Sequence, residues 1–205
     1  MKLNRFKLAA LAVGCLLAQL PAANAVVVVG SGPDISHLVI EAPDFGNPLE
    51  YEYHYTYNAS SPLDTYSMLA AIDGAQSNLS FDLINFGSAG SPNYYLDAVT
   101  FNSITVANTN SPFWAQWVSG GGSGYPTASP IASGTWIEGS GISSPYRTLA
   151  PGSWDGFIYN GDYNPNPPYN LTSAPPSIAP VPEPATMTLF ILSGLGIVLN
   201  RRRHA

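Results

Sequence analysis

Hydrophobic and polar residues alternate along most of the chain with the two-residue period of a β-strand. The clearest case is YEYHYTYN, in which every second residue from Tyr51 to Tyr57 is a tyrosine, with Glu52, His54 and Thr56 between them. Such alternation predicts a half-buried strand, with the tyrosines on one face and the polar residues on the other. The stretches VVVVG, HLVIEA, NLSFDLINFG and YYLDAVTFNSITVAN are also rich in strand-forming residues. The pattern therefore predicts a mainly β protein.

One segment departs from this period and has the spacing of a helix. Its apolar stripe consists of Leu63, Met68, Leu69 and Ile72. Ser61 suits the N-cap, Pro62 suits the first helical position, and Gly74 is a natural stop. We therefore predict a helix over 62–73. Together the patterns predict a single domain over 26–163, either a β-sandwich-like fold or a sheet packed on one helix.

Proline dominates the chain after this domain. The segment NPNPPYNLTSAPPSIAPVPEP, residues 164–184, contains eight prolines. Proline removes backbone donors and favours the polyproline II conformation, so neither a helix nor a central strand is expected. The composition predicts an extended, solvated linker over 164–180.

The first twenty-five residues have the three parts of a secretory signal peptide. Two lysines and an arginine precede an apolar run over 8–20, and Ala23-Asn24-Ala25 is an A-x-A cleavage site. We predict a signal helix over 1–25, export by Sec-type machinery and cleavage after Ala25. A lipoprotein signal ending at Cys15 is the alternative. Because Cys15 is the only cysteine, cleavage after Ala25 would leave a chain that forms no intramolecular disulfide.

The charged residues are distributed unevenly. All thirteen acidic residues lie between Asp34 and Glu183, whereas Arg147 is the only lysine or arginine in that span. Nucleic acids and anionic lipids both attract lysine and arginine, so this balance argues against either as a partner. It permits cations, neutral glycans and basic partners.

The C-terminal tail over 181–205 has three parts in a fixed order. Pro182, Glu183 and Pro184 come first, an apolar run over 185–199 follows, and three arginines from Arg201 to Arg203 come near the end. At about 1.5 Å per residue the run is roughly 22 Å long as a helix, against a hydrocarbon core of about 30 Å. We predict a single, short transmembrane helix, with Arg201, Arg202 and Arg203 as its cytoplasmic stop-transfer cluster.

These residues and their order resemble the PEP-CTERM protein-sorting domain of exported proteins from Gram-negative bacteria, mostly species that make exopolysaccharide. The resemblance covers about twenty-five residues. It implies that an exosortase recognises Pro182, Glu183 and Pro184 as substrate residues and processes the tail. The protein would then pass transiently through the inner membrane to the cell surface or extracellular matrix. An ordinary single-pass anchor after a proline-rich linker is the alternative.

The remaining sequence contains no nucleophile, zinc or phosphate motif, and we predict no catalytic residues, no metal and no cofactor. His37 and His54 lie in predicted strands without metal-ligand spacing. The stretch DYNPN from Asp162 has oxygen ligands at calcium-loop spacing, but Pro167 occupies the position of the required glycine. We interpret it as the start of the linker.

Aromatic residues suggest one function for the domain. Exposed aromatic faces stack on sugar rings, and the candidates for contact with exopolysaccharide are Trp114, Trp117, Trp136 and Trp154. Packing in the core is the competing interpretation of the same residues. The strand–helix–strand order that begins at YEYHYTYN resembles small β-grasp-like ligand domains, so a small-ligand-binding domain is the second hypothesis. A glycan hydrolase using paired carboxylates is the third.

Overall fold

The structure is a computed structural model, and it describes residues 26–88, 91–109, 111–123, 129–164 and 170–181. The signal peptide with Ala23 and Ala25 lies outside these residues, as do the Pro-Glu-Pro motif, the apolar run over 185–199 and the three arginines. Those predictions stay predictions. Among the described residues no helix has both the length and the apolar character that crossing a bilayer requires.

The described residues form strands, one α-helix and one short 3-10 turn. In chain order they are β1 (Val27–Gly30), β2 (Asp34–Glu41), the 3-10 turn (Pro43–Phe45), β3 (Leu49–Tyr55), α1 (Thr65–Ala75), β4 (Leu79–Asn85), β5 (Tyr94–Phe101), β6 (Ile104–Ala107), β7 (Phe113–Ser119), β8 (Gly122–Ser123), β9 (Ser129–Pro130), β10 (Ile137–Glu138), β11 (Ser153–Asn164) and β12 (Asn170–Thr172). The prediction of a mainly β protein is confirmed.

The strands form one large mixed sheet and two smaller ones. The large sheet has the order β1-β3-β2-β11-β7-β10, and β12 pairs with the far end of β11. Two of its pairings, β1 with β3 and β2 with β11, are parallel, and the others are antiparallel. The second sheet is an antiparallel meander of β4, β5 and β6, and β8 pairs with β9. The long strand β11 therefore lies at the centre of the large sheet.

The hydrophobic core lies between the large sheet and a second layer that contains both α1 and the β4-β5-β6 meander. Buried residues on the inner face of the large sheet include Leu38, Tyr51 and Phe157, and they belong to the same cluster as Leu69 of α1 and Val99 of β5. The second layer thus combines the two predicted alternatives, a packed helix and a packed sheet. The alternation in β3 is also as predicted, because its tyrosines point to this core and its Glu52 and His54 side chains bond to each other on the other face.

The helix begins later than the sequence predicts, so Ser61 as its N-cap is wrong. Asp64 is the N-cap, and its side chain accepts a hydrogen bond from the backbone N–H of Ser67 at 2.9 Å. The same carboxylate also accepts from the backbone N–H of Ser144, eighty positions away in the chain, at 3.0 Å. A carboxylate that caps a helix and also binds a distant loop is favoured over a serine three residues earlier. The helix ends at Ala75, just past Gly74.

The proline-rich segment after the predicted domain is in part packed rather than solvated. Strand β11 continues to Asn164, and β12 lies within the predicted linker. Residues 173–181, which we call the C-terminal strap, are extended, and the side chains of Pro176 and Pro180 are buried. The folded domain therefore continues through the strap to residue 181.

Candidate functional site

A cleft lined largely by core residues opens between the large sheet and the β4-β5-β6 meander. It encloses about 310 Å³. Its deepest lining residues are core residues that are at most 6% exposed, namely Leu96, Trp114, Ile142 and Phe157. Strand β7 supplies one wall and the start of β5 supplies the other, while the loop that follows β10 also lines the cleft. The floor of the cleft is thus formed by side chains of the hydrophobic core.

Asn108 fixes the two walls relative to each other. Its side-chain amide donates to the carbonyl of Leu96 at 2.7 Å, and its side-chain oxygen accepts from the backbone N–H of Trp114 at 2.6 Å. The indole N–H of Trp114 donates to the carbonyl of Val106 at 3.0 Å. Because both polar ends of Asn108 are satisfied and the indole is anchored, the aromatic floor is pre-organised.

An exposed aromatic pair forms the mouth of the cleft. The side chain of Phe86 is 72% exposed, and its ring packs edge-to-face against Tyr95 with the ring centroids 5.4 Å apart. The hydroxyl of Tyr95 donates to the carbonyl of Ser140 at 2.9 Å and accepts from the side-chain amide of Asn93 at 3.2 Å. A large apolar side chain held in water beside an apolar cleft is typical of a binding surface.

Five of the fourteen lining residues of the cleft have polar side chains besides Tyr95, and only one of the five is charged. The amide of Gln116 is held in place, since its oxygen accepts from the backbone N–H of Gly141 at 3.1 Å and its nitrogen approaches Asp155 at 3.4 Å. The carboxylate of Glu138 is exposed at the rim, where Ser173 donates to it at 3.5 Å. Glu138 therefore gives the cleft a negative edge.

Behind the cleft lies a fully buried ion pair between Arg147 and Asp155. The Nε atom of Arg147 lies 3.1 Å from both carboxylate oxygens, and Nη2 lies 2.8 Å from Oδ2. Thr65 donates to the same carboxylate at 2.7 Å, and the guanidinium also donates to the carbonyls of Gly120 and Trp154. This network organises the loops around it. It also buries the only lysine or arginine side chain of the described residues, so their surface carries acidic side chains without either base.

The four tryptophans predicted to contact glycan do not form an exposed row. Trp114 is 6% exposed at the cleft floor, and Trp154 is 7% exposed on the outer face of the large sheet. Trp117 and Trp136 are partly buried, and the indole N–H of Trp136 donates to the carbonyl of Ile178. Trp114 and Trp154 as exposed stacking platforms are therefore wrong, because the tertiary fold uses both rings for packing.

Outside the cleft, histidines and carboxylates contact separate partners in the described part of the chain. The ring of His37 stacks on Trp154 with centroids 4.1 Å apart, and His54 lies 3.1 Å from Glu52. Asp162 belongs to β11 and accepts a hydrogen bond from Ser111. Within the described ranges no group of three histidine, cysteine or acidic side chains is arranged to hold a metal ion.

Of the residues that build the cleft, Trp114 alone was among the predicted site residues. Phe86, Tyr95, Asn108, Gln116 and Glu138 were not predicted, because they lie in five separate parts of the chain and no motif joins them. The one available signal was the phenylalanine that follows the alternating strand at residues 79–85. Comparisons with protein-family models, with curated proteins and with solved structures found no match for this chain.

Proposed function

We propose that this is an exported protein whose domain binds a small, largely apolar molecule in the cleft between the large sheet and the β4-β5-β6 meander. The observation that carries the proposal is the open floor of buried core side chains, with the exposed Phe86–Tyr95 pair at its mouth. Ligand sites are typically concave, mostly apolar and largely pre-formed, with volumes from roughly 300 Å³ upward. A cleft of about 310 Å³ suits a compact ligand with one or two rings.

Binding rather than catalysis fits the chemistry of the lining. The ionisable side chains among the described lining residues are the carboxylate of Glu138 and the phenol of Tyr95. The phenol is already hydrogen-bonded to the carbonyl of Ser140. General acid–base chemistry usually needs a positioned partner for such a group. Burial of apolar ligand surface contributes about 25 cal/mol per Å² and would supply most of the affinity. In this proposal exopolysaccharide surrounds the exported domain and is not a ligand that exposed tryptophans hold.

A fluorescent probe tests the cleft as the binding site. A neutral anilinonaphthalene dye should bind the exported protein and fluoresce, and Phe86→Ser should weaken its binding by about three- to tenfold because the mouth loses its apolar wall. Ile104→Ser is the matched control, since Ile104 is 45% exposed at the start of β6 and does not line the cleft. Equal affinity of both variants and the wild-type protein would remove the cleft from consideration.

For sorting, we propose that the tail addresses the protein to an exosortase, as its resemblance to PEP-CTERM implies. The support is the order of motif, short apolar run and arginine cluster, together with an N-terminal signal that places the domain outside the cytoplasm. A chain with Pro182, Glu183 and Pro184 all replaced by alanine should stay membrane-bound at its unprocessed size in the native host. Appearance of that variant outside the cell at mature size would contradict the sorting role.

A further inference from the structure

The C-terminal strap crosses the outer face of the large sheet, on the side opposite to the core. Its residue Pro176 lies directly over Gly156 of β11. The backbone N–H and the hydroxyl of Ser177 both donate to one oxygen of Glu41, each at 2.7 Å. The indole N–H of Trp136 donates to the carbonyl of Ile178 at 2.9 Å. Three consecutive strap residues are therefore recognised, each by a different kind of contact.

Gly156 is required at its position by the close approach of the strap. A Cβ atom built on Gly156 would lie 2.4 Å from Cγ of Pro176 and 3.3 Å from the ring of Trp136. The backbone of Gly156 does not have a positive φ, so conformational freedom does not explain the glycine. Glycine in a strand often marks a place where another backbone or ligand comes close. The absence of a side chain at Gly156 thus leaves space for the ring of Pro176, and we call this space the socket.

Aromatic rings form the side of this socket. Trp136 packs edge-to-face on Trp154, with ring centroids 6.3 Å apart and an interplanar angle of 88°. Trp154 is in turn stacked on His37. The strap sequence SAPPSIAPV has three prolines in nine residues, and its extended backbone leaves carbonyls without internal hydrogen bonds. Aromatic-lined grooves with donors placed for such carbonyls are a recurrent way of binding proline-rich peptides.

We propose that Glu41, Trp136, Trp154 and Gly156 form a polyproline-recognition groove. In the structure the groove holds the strap of its own chain. The ligand that fits it in trans is the strap of a second copy of this protein, because the sequence seated in the groove is carried by every copy. Exchange of one identical element between copies is a low-cost route to association, so the groove would join copies through their C-terminal segments.

The strap of the same chain competes with any strap in trans, since a tethered ligand has an effective concentration in the millimolar range. The test therefore starts by releasing it. Pro176→Asp places a carboxylate over an apolar socket near Glu41, and should expel the strap while leaving the groove intact. A fluorescein-labelled peptide of residues 174–181 should bind the full-length Pro176→Asp chain at least about tenfold more tightly than it binds the wild-type chain. Fluorescence anisotropy measures both affinities.

Two groove variants complete the test. Trp136→Phe removes the indole N–H but keeps a ring, and Gly156→Ala fills the socket. Either change, added to Pro176→Asp, should reduce peptide binding about tenfold, and a peptide with alanine for all prolines should not bind. Equal binding with and without Pro176→Asp, or equal binding with and without Trp136→Phe, would overturn the proposal. Equal binding of the proline-free peptide would also overturn it.

A second measurement covers the case in which Pro176→Asp fails to fold. In the otherwise wild-type chain, Trp136→Phe and Gly156→Ala should each speed proteolytic cleavage within the strap by about tenfold, because less of the strap is docked. Circular dichroism checks that the domain is unchanged. Cleavage at the wild-type rate in both variants would show that these residues do not hold the strap.

Discussion

Arg147 and Asp155 form an ion pair from which water is excluded: Nη2 and Oδ2 are 2.8 Å apart, and the side chains are 1% and 0% exposed. Asp155 lies on the central strand β11, whereas Arg147 lies in the preceding loop, so the pair ties the irregular part of the chain to the middle of the sheet. A buried pair adds little stability compared with an apolar pair of the same size, but loss of one partner leaves an uncompensated buried charge.

We therefore expect Arg147→Met to destabilise the domain by about 3–5 kcal/mol, since Asp155 would remain buried with Thr65 and Gln116 as its principal donors. Urea denaturation, extrapolated linearly to water, measures the free energy of unfolding. The double variant Arg147→Met, Asp155→Leu is the control, and its free energy of unfolding should fall distinctly less than that of Arg147→Met. If the double variant were as unstable as the single one, the cost would come from packing and not from the orphaned charge.

The start of α1 offers a direct test of the capping residue. Asp64→Ala removes the acceptor for Ser67 and for the backbone N–H of Ser144, and should cost about 1–2 kcal/mol. Ser61→Ala is the matched control and should change the free energy of unfolding by less than about 0.5 kcal/mol, as an ordinary surface substitution does. Thermal melts followed by circular dichroism compare the two. A larger effect at Ser61 would favour the sequence-based assignment.

Alkaline pH should unfold the domain through its buried tyrosines. Burial raises the pKa of Tyr55 to about 12, although a hydrogen bond from Ser36 opposes the shift. Burial also raises the pKa values of Tyr51 and Tyr53. Between the ordinary pKa of about 10 and this raised value, the unfolded chain releases a proton that the folded chain keeps, so stability falls as pH rises.

For Tyr55 alone the loss amounts to roughly 2–3 kcal/mol by pH 12. Denaturation at a series of pH values above about 9 should show this decline, and it should be shallower in Tyr55→Phe. The variant will not abolish the decline because two other tyrosines contribute. Parallel pH profiles of the variant and the wild-type protein would mean that Tyr55 ionises as readily in the folded state as in the unfolded one.

Local pattern was sufficient to predict β1 to β6, but not the later strands, which include the central strand β11, and not the sheet order. The alternation from Tyr51 to Tyr55 identifies a strand and its buried face, because the period of two is a local property. The parallel pairing of β2 with β11 joins residues more than a hundred positions apart, and only the complete core determines it. The strap shows the same limit. Its prolines predict an extended chain, but its docking depends on Gly156 and Trp136, which the composition of the strap does not reveal.

The cleft was beyond prediction for a similar reason. Tryptophan composition alone suggested an exposed binding surface, whereas the fold buries Trp114 and Trp154 and exposes Phe86. Whether an aromatic ring packs or binds depends on what covers it, and this is a tertiary property. The charge balance, by contrast, is fixed by composition. Because Arg147 is buried, the described surface is more acidic than a count of charges indicates.

The acidic character of this surface predicts which charge of ligand the cleft prefers. Glu138 lies at the rim, and no lysine or arginine among the described residues reaches the surface. Of two naphthalene probes that differ only in carrying an ammonium or a sulfonate group, the cation should bind about three- to tenfold more tightly at low ionic strength. The difference should shrink at about 0.3 M salt, where the Debye length falls below about 8 Å.

Fluorescence titration at two salt concentrations measures this preference, and Glu138→Gln should reduce it without changing the affinity of the neutral dye. Glu52→Gln is the matched control, since Glu52 belongs to β3 and does not line the cleft. A preference for the anionic probe would mean that the acidic surface does not set the choice of ligand. Equal losses in both variants would assign the preference to the overall charge, because a local carboxylate acts mainly within a Debye length.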